Sequence, residues 1–215
     1  MLNKKLTCKR AAMFGLDARI ALAIFGALSV ISGAALYSAI QNSKAVSTLT
    51  EMREVIKAWE SYLLDTGSDM ALDTSDSLSH HRDASDLVVD PGVAGWNGPY
   101  LPNTVSSIKN TRLTSKFNGN IAVTSVSRDI EWGLGHATRT TWASGVSTLC
   151  DNTTVQCYTA VQFTDSGAGE LDFSLASAID EMVDGGDGAY SGDFRWYITG
   201  SMRVLVLIGP PYDKP

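Results

Sequence analysis

The side chains best suited to chemistry in this chain are carboxylates, and they concentrate in one segment. Residues 180–193 contain four glycines and four aspartates, Asp180, Asp184, Asp187 and Asp193. A hard cation such as Ca²⁺ takes six to eight oxygen ligands from a flexible loop, so this composition suits a calcium site. The spacing is not that of an EF-hand. A glycine-rich turn whose carboxylates face water is the alternative interpretation, and both remain open at this stage.

No pattern of catalytic residues accompanies these carboxylates. The three histidines are His80, His81 and His136, and the chain has no H-E-x-x-H, G-x-S-x-G or phosphate-binding G-x-x-x-x-G-K-[ST] motif. The pair His80 and His81 lies in a hydrophilic stretch, where we expect surface exposure. No regular ligand spacing indicates a zinc site. We therefore expect a protein that is not an enzyme.

The charges divide the chain into a basic start and an acidic body. The first twelve residues carry four basic side chains and no acid, whereas the other 203 hold 13 basic and 23 acidic residues, a net charge of −10. A body this acidic repels the phosphate backbone of nucleic acids, and the sequence contains no basic patch that would offset the repulsion. We therefore expect no nucleic-acid partner.

A length of 215 residues fits one domain, or one domain with an appendage.

The segment from Ile20 to Ile40 has 21 residues and no charge. About 20 apolar residues in a helix cross the bilayer core, so the segment is long enough for one membrane span. The basic cluster before it predicts a cytoplasmic N-terminus and an external body. The two weaker alternatives are a cleaved secretory signal, whose apolar part is shorter, and a buried core helix.

The residues around the start of this span read KRAAMFGLDAR. They resemble the leader junction of the type IV pilin and type II secretion pseudopilin superfamily: a basic leader ends in a small residue, an apolar residue follows, and a carboxylate occupies the fifth mature position. In that register Ala12 ends the leader, Met13 is the first mature residue and Asp17 is the carboxylate. Gly26 and Tyr37 fall on a glycine and a tyrosine common in the family.

The chain departs from the family pattern at four positions: Ala12 replaces the usual Gly, Asp17 replaces Glu, Arg19 is charged, and Ala34 stands where the family has a helix-kinking proline. Cleavage after Gly15 would restore the glycine but would place Ile20 at the carboxylate position. We therefore favour cleavage between Ala12 and Met13.

After the span the pattern becomes that of an amphipathic helix. Between Lys44 and Leu64, polar residues such as Thr48 and Glu51 separate apolar residues that recur every three or four positions, namely Val46, Leu49, Met52, Ile56, Trp59 and Leu63. Nothing between residues 40 and 44 breaks a helix. The pattern predicts one rod of some fifty residues that ends before Gly67, with a globular head packed on the apolar stripe.

The remaining sequence predicts an antiparallel sheet. Residues 68–95 are polar and typical of a loop with a short helical turn, and the Gly95–Pro102 segment resembles the W-G-x-P-Y-L segment of pseudopilins. Leu171–Val183 has a helical pattern. The predicted strands are Asn120–Val126, Thr138–Ala143, Cys157–Phe163, Phe194–Thr199 and Arg203–Ile208. We predict an α+β fold in which the long N-terminal helix packs on this sheet, with a leader at 1–12, a transmembrane and filament-core helix at 13–43 and a head at 44–215.

Cysteine usage fits an exported head. Cys8 lies in the leader, so the mature chain keeps an even pair, Cys150 and Cys157, without C-x-x-C spacing. In an oxidising compartment we expect a disulfide between them rather than two buried thiols.

The resemblance implies a structural subunit, a pilin or pseudopilin. A prepilin peptidase would remove the leader and the new Met13 amine would be methylated. The subunit would wait in the bacterial inner membrane with its head in the periplasm. An inner-membrane assembly platform would then add it to copies of itself or to other pilin-like subunits. The product would be a type IV pilus (fimbrium), a secretion pseudopilus or a DNA-uptake fibre, and the size of the body favours a minor subunit.

Two further implications concern the carboxylates. In the family, the equivalent of Asp17 meets the N-terminal amine of a neighbouring subunit. Major pseudopilins bind calcium in a C-terminal loop, and the segment from Ile179 to Arg195 resembles one seen in many pilin-like heads. The alternative function is a single-span anchored periplasmic binding module that does not polymerise. A membrane-tethered hydrolase lacks any residue constellation to support it.

Overall fold

The structure, a computed structural model, describes residues 11–73, 81–116, 119–129, 131–133, 156–165, 171–199 and 202–211. Its first element is α1, a helix of 56 residues from Ala11 to Thr66. The helix ends where Gly67 adopts φ 65° and donates its N–H to the Leu63 carbonyl oxygen at 2.9 Å, a C-terminal cap that glycine favours. The predicted single rod ending before Gly67 is confirmed.

The chain forms two compact units, 1–43 and 44–215. In the first unit every described residue from Asp17 to Ile40 is exposed, including bulky Phe25, Val30 and Leu36. This helix is long and apolar enough to cross a membrane, by its length and composition. A helix that is apolar on all sides needs an apolar surrounding.

In the second unit, Lys44–Thr66 of α1 buries one continuous stripe: Ala45, Thr48, Leu49, Met52, Val55, Ile56, Trp59 and Tyr62. The prediction of an amphipathic helix is confirmed, but the predicted apolar stripe differs from the buried stripe at its edges. Val46 is 52% exposed, whereas the polar residues Thr48 and Glu51 are buried. Glu51 is tolerated there because its Oε1 accepts bonds from Asn103 Nδ2 at 3.1 Å and from the Lys116 N–H at 3.2 Å.

Six strands form one antiparallel sheet in the order β1-β3-β4-β6-β5, with β2 also paired to β3. They are β1 (His81–Arg82), β2 (Leu113–Thr114), β3 (Asn120–Val126), β4 (Tyr158–Thr164), β5 (Phe194–Thr199) and β6 (Met202–Pro211). A second helix, α2, spans Phe173–Val183 and precedes β5. The α+β fold with a long N-terminal helix and an antiparallel sheet is therefore as expected.

The strand predictions differ from the structure in length and number. Two strands, β3 and β5, have the predicted bounds, and β4 and β6 begin or end one to three residues away. The two-residue strands β1 and β2 were missed because pairs of residues carry no alternation. The predicted strand Thr138–Ala143 lies outside the described residues.

Alternate residues of the sheet face two different clusters. Ile121, Val123, Val161, Phe163, Leu205 and Leu207 join the buried stripe of α1 in the main core. Their neighbours on the opposite face form a second cluster, which contains Val126, Trp132, Ala160, Tyr197, Val204, Val206 and Ile208. Since side chains alternate between the faces of a strand, burial on both sides explains why these strands are apolar almost throughout.

The described part of the polar stretch after α1 contains a short helical turn, Ala84–Leu87, as predicted. Asp69 Oδ1 accepts a bond from Trp59 Nε1 at 2.9 Å, and Asp69 Oδ2 pairs with Arg82 at 2.7 Å. This carboxylate therefore ties α1 to β1. His81, expected at the surface, is buried in β1, where its Nε2 lies 3.2 Å from Gln162 Oε1.

The Gly95–Pro102 segment packs on the end of α1 through its aromatic rings. Tyr100 makes edge-on contacts with Tyr62 and Trp96, with ring centroids 6.0 and 5.9 Å apart. Gly95 has φ 88°, and a Cβ there would collide with the Asp65 carbonyl oxygen, so only glycine fits. The predicted Gly/Pro turn covered by aromatic side chains is confirmed.

Asp86, in the 3₁₀ turn Ala84–Leu87, is a buried acid whose ionisation costs stability. Burial first, and then the Asp83 carboxylate, raise the pKa of Asp86 from 3.8 to about 6, although a hydrogen bond from the Ala71 backbone lowers it. The folded state therefore holds this proton more tightly than the unfolded chain. The associated stability is fully present below pH 4 and is lost as the pH rises through about 6.

We predict that Asp86→Asn stabilises the head at pH 7 by about 1–3 kcal/mol, since each pKa unit is worth about 1.4 kcal/mol. The amide oxygen keeps an acceptor for the Ala71 N–H. Thermal unfolding of the full chain in detergent from pH 4 to 8 measures the gain, which should disappear below pH 4. The exposed-site variant Glu60→Gln is the control. Equal stability of Asp86→Asn and wild type at pH 7 would contradict the assignment.

Candidate functional site

The acidic segment begins in the last turns of α2. Asp172 caps the helix by accepting the Leu175 N–H at 2.7 Å, and Leu175 and Ile179 anchor α2 in the main core. This packing places Asp180 on the buried side of the helix, where the residue is only 3% exposed. The helix ends at Asp184, whose N–H donates to the Asp180 carbonyl oxygen at 2.8 Å.

Three of the four predicted cation ligands come together. One carboxylate oxygen from each of Asp180, Asp184 and Asp187 lies within 4.8 Å of the other two. Asp180 Oδ2 accepts the Gly188 N–H at 3.1 Å, whereas its Oδ1 is buried without a hydrogen-bond partner. A buried oxygen without a donor is costly, and a cation would satisfy it.

The loop is shaped around these carboxylates by its glycines. Gly186 and Gly192 have φ 81° and 71°, which side chains rarely adopt. A Cβ at Gly192 would meet the Asp184 carboxylate, and one at Gly186 would lie 2.5 Å from Glu181 Oε2. Asp184 Oδ2 also accepts the N–H groups of residues 193 and 194 at 2.9 and 2.7 Å. The turn is therefore held closed over its own carboxylates.

The fourth predicted ligand, Asp193, points elsewhere. Its Oδ1 lies 2.7 Å from Arg128 Nε, and it is not a member of the carboxylate group formed by the described residues. Burial raises the pKa of Asp193, whereas the Arg128 charge opposes the shift. In the structure Asp193 serves as an ion-pair partner next to the cluster.

Electrostatic strain is concentrated at the same place. Burial raises the pKa of Asp180, and the charges of Asp187, Asp184 and Glu181 raise it further. The compensating cation is Arg195, which is 2% exposed and lies 4.7 Å over the Trp132 ring. Burial lowers the pKa of Arg195, while the charges of Asp187, Asp193 and Asp184 raise it. The sequence pointed to Arg195 only as part of a motif. It did not indicate a buried positive charge, because the burial of Arg195 depends on its contact with Trp132.

The predicted assembly residues lie in α1. Ala12, Met13 and Asp17 are all within the helix, and Asp17 is exposed, as is Arg19. From Asp17 to Ile40 these two residues are the only charged ones. Leader cleavage, methylation and the assembly role of Asp17 stay predictions.

Comparison of the chain with family models, curated proteins and solved structures found no match. The similarity to pilins therefore rests on the residues of this chain alone.

The second predicted covalent feature is a disulfide. Cys157, at the start of β4, is 2% exposed and disulfide-bonded. Cys150 lies outside the described residues, so its pairing with Cys157 stays a prediction.

We expect non-reducing mass spectrometry of the exported protein to yield one peptide pair joined through Cys150 and Cys157. Alkylation of both thiols without prior reduction would contradict it.

Proposed function

We propose that this protein is a pilin-like filament subunit that is inserted in the bacterial inner membrane before assembly. The observation that carries the proposal is Asp17, an acid in the first turns of α1, just before the 21 uncharged and exposed residues Ile20 to Ile40. A carboxylate at such a position is costly in a bilayer, and intramembrane acids are functional by default.

The basic residues before α1 support the orientation, with a cytoplasmic N-terminus and a periplasmic head. A prepilin peptidase cuts between Ala12 and Met13, and the new amine is methylated. The assembly platform then moves the helix from lipid into a bundle of similar helices. In both surroundings the apolar side chains of α1 remain out of water, so the transfer costs little.

Asp17 sets the axial position of each new subunit. The cleaved Met13 amine is positive, and a carboxylate of a neighbouring subunit is its natural partner. Asp17 and Arg19 are two residues apart and therefore do not face each other on one helix, which leaves Asp17 free for an intermolecular pair. Within a helix bundle a misplaced subunit would leave both charges buried and unpaired, a penalty of several kcal/mol.

The competing proposal is an anchored periplasmic binding module that never polymerises. It explains the span and the acidic head equally well, but gives no reason for an acid four residues after a cleavage site. N-terminal sequencing separates the two. A start at Met13 supports the filament subunit, whereas an intact Met1 supports the plain anchor.

We predict that Asp17→Ala leaves expression, membrane insertion and leader removal near wild-type levels but lowers filament incorporation about tenfold or more, the effect of losing about 1.4 kcal/mol per subunit contact. The measurement is the amount of protein in filaments sheared from cells or isolated from the periplasm. The conservative variant Asp17→Glu should assemble normally. Wild-type assembly of Asp17→Ala would remove the main support for the proposal.

We also propose that the head binds a calcium ion at Asp180, Asp184 and Asp187. The support is the unpartnered, buried Oδ1 of Asp180 beside two further carboxylates. An ion there would relieve their mutual repulsion and satisfy Oδ1, so its role is to fix the turn between α2 and β5. Asp193 stays paired with Arg128 in this arrangement.

We expect millimolar calcium to raise the melting temperature of the full chain in detergent by several degrees over chelator, since ligand at 100 times Kd contributes about 2.7 kcal/mol. Asp180→Asn should abolish that difference. Asp193→Asn, a change of equal charge in the same loop, should keep it. An identical wild-type melt in calcium and in chelator would exclude the ion.

A further inference from the structure

The cations of the head are mostly neutralised by acids within it. Five of them form ion pairs with N–O distances from 2.7 to 3.7 Å: Arg82, Lys109, Lys116, Arg128 and Arg203. Among the described residues of the head, Arg53 and Lys57 are exposed and lack such a pair. They lie one turn apart on the face of α1 opposite its buried stripe. On a body with a net charge of −10, two unpaired cations on one helix face are conspicuous.

Lys57 lines a groove in the head, between α1 and the segment around Leu101. The groove measures about 380 Å³, and Ala58, Leu101 and Pro102 give it apolar surface. Lys116 and Glu54 also line it and pair with each other at 3.7 Å, so the net positive charge of the groove comes from Lys57. The groove therefore combines an apolar surface with positive charge, a pairing that suits an acidic segment carrying an apolar side chain.

The same chain carries such a segment. At the end of α2, Glu181 is exposed and has no ion-pair partner among the described residues, and the adjacent Met182 is 42% exposed. Burial of a methionine side chain against apolar surface is favourable, and the carboxylate supplies charge complementarity to Lys57. Neither residue is a member of the three-aspartate cluster formed by the described residues.

We propose that the groove beside Lys57 binds the Glu181–Met182 turn of a second copy of this chain. The contact is heterologous: one copy offers its groove and the other its turn, so every copy retains a free groove or turn for the next. Interfaces of this kind generate open helical assemblies when the rotation does not close a ring. The inference rests on the proposed filament function and names the head surfaces that would join neighbouring subunits.

The first test is a cross-link in the full-length protein, in membranes of the cells that make it. Chains that carry both Lys57→Cys and Glu181→Cys should give a ladder of dimers, trimers and larger species on a non-reducing gel. Either single variant should lack the ladder. A double variant with no band beyond those of the single variants overturns the contact.

The second test is a charge exchange. Lys57→Glu and Glu181→Lys should each lower the protein recovered in filaments about tenfold, since like charges in an interface cost at least the 1.4 kcal/mol that corresponds to tenfold. The combination of both variants should return recovery to within about twofold of wild type. Arg53→Glu is the matched control, because it makes the same charge change one turn away and outside the groove.

The two tests separate this contact from the filament function. If the wild-type protein forms filaments but the cysteine variants give no ladder and the charge exchange gives no rescue, the groove contact alone is overturned. A ladder from a protein that forms no filaments would support the contact and reject the filament function. Absence of both would reject both.

Discussion

The burial of one stripe of α1 against the sheet is the contact on which the rest of the head depends. Met52, Val55 and Trp59 are fully buried there, and each such side chain contributes about 1.5–3 kcal/mol. This stripe is part of a helix of 56 residues, so the head holds only the C-terminal part of α1, from Lys44 to Thr66, whereas Asp17 to Ile40 are exposed. One continuous helix thus has two requirements: a protein partner after residue 44 and an apolar surrounding before it.

Buried polar groups decide how the chain after α1 is joined to that core. Asp69 binds Trp59 and Arg82, and Glu51 binds Asn103 and the Lys116 N–H. Removal of either carboxylate would leave donors unsatisfied in a region with little water. Asp86 is the unfavourable member of this group, since its burial raises its pKa to about 6 and its charge at neutral pH opposes folding.

The acidic turn after α2 concentrates negative charge in the head. Its carboxylates are held together by glycines and by backbone N–H groups, with the buried Arg195 as the nearest compensation. The unpaired cations of α1 face outward at another place on the head. The proposed ion and the proposed contact use different residues of one turn.

The sequence by itself determined the span, the end of α1 at Gly67, the bounds of β3 and β5 and the α+β class, because apolar periodicity and glycine act locally. It also identified Asp180, Asp184, Asp187 and Asp193 as candidate ligands, of which the structure brings the first three together. Only the tertiary structure decided that Glu51 and His81 are buried and that Val46 is exposed. It also decided that Asp193 forms an ion pair with Arg128. Those outcomes depend on which distant side chain supplies a hydrogen bond or a charge, and residues far apart in sequence meet only after folding.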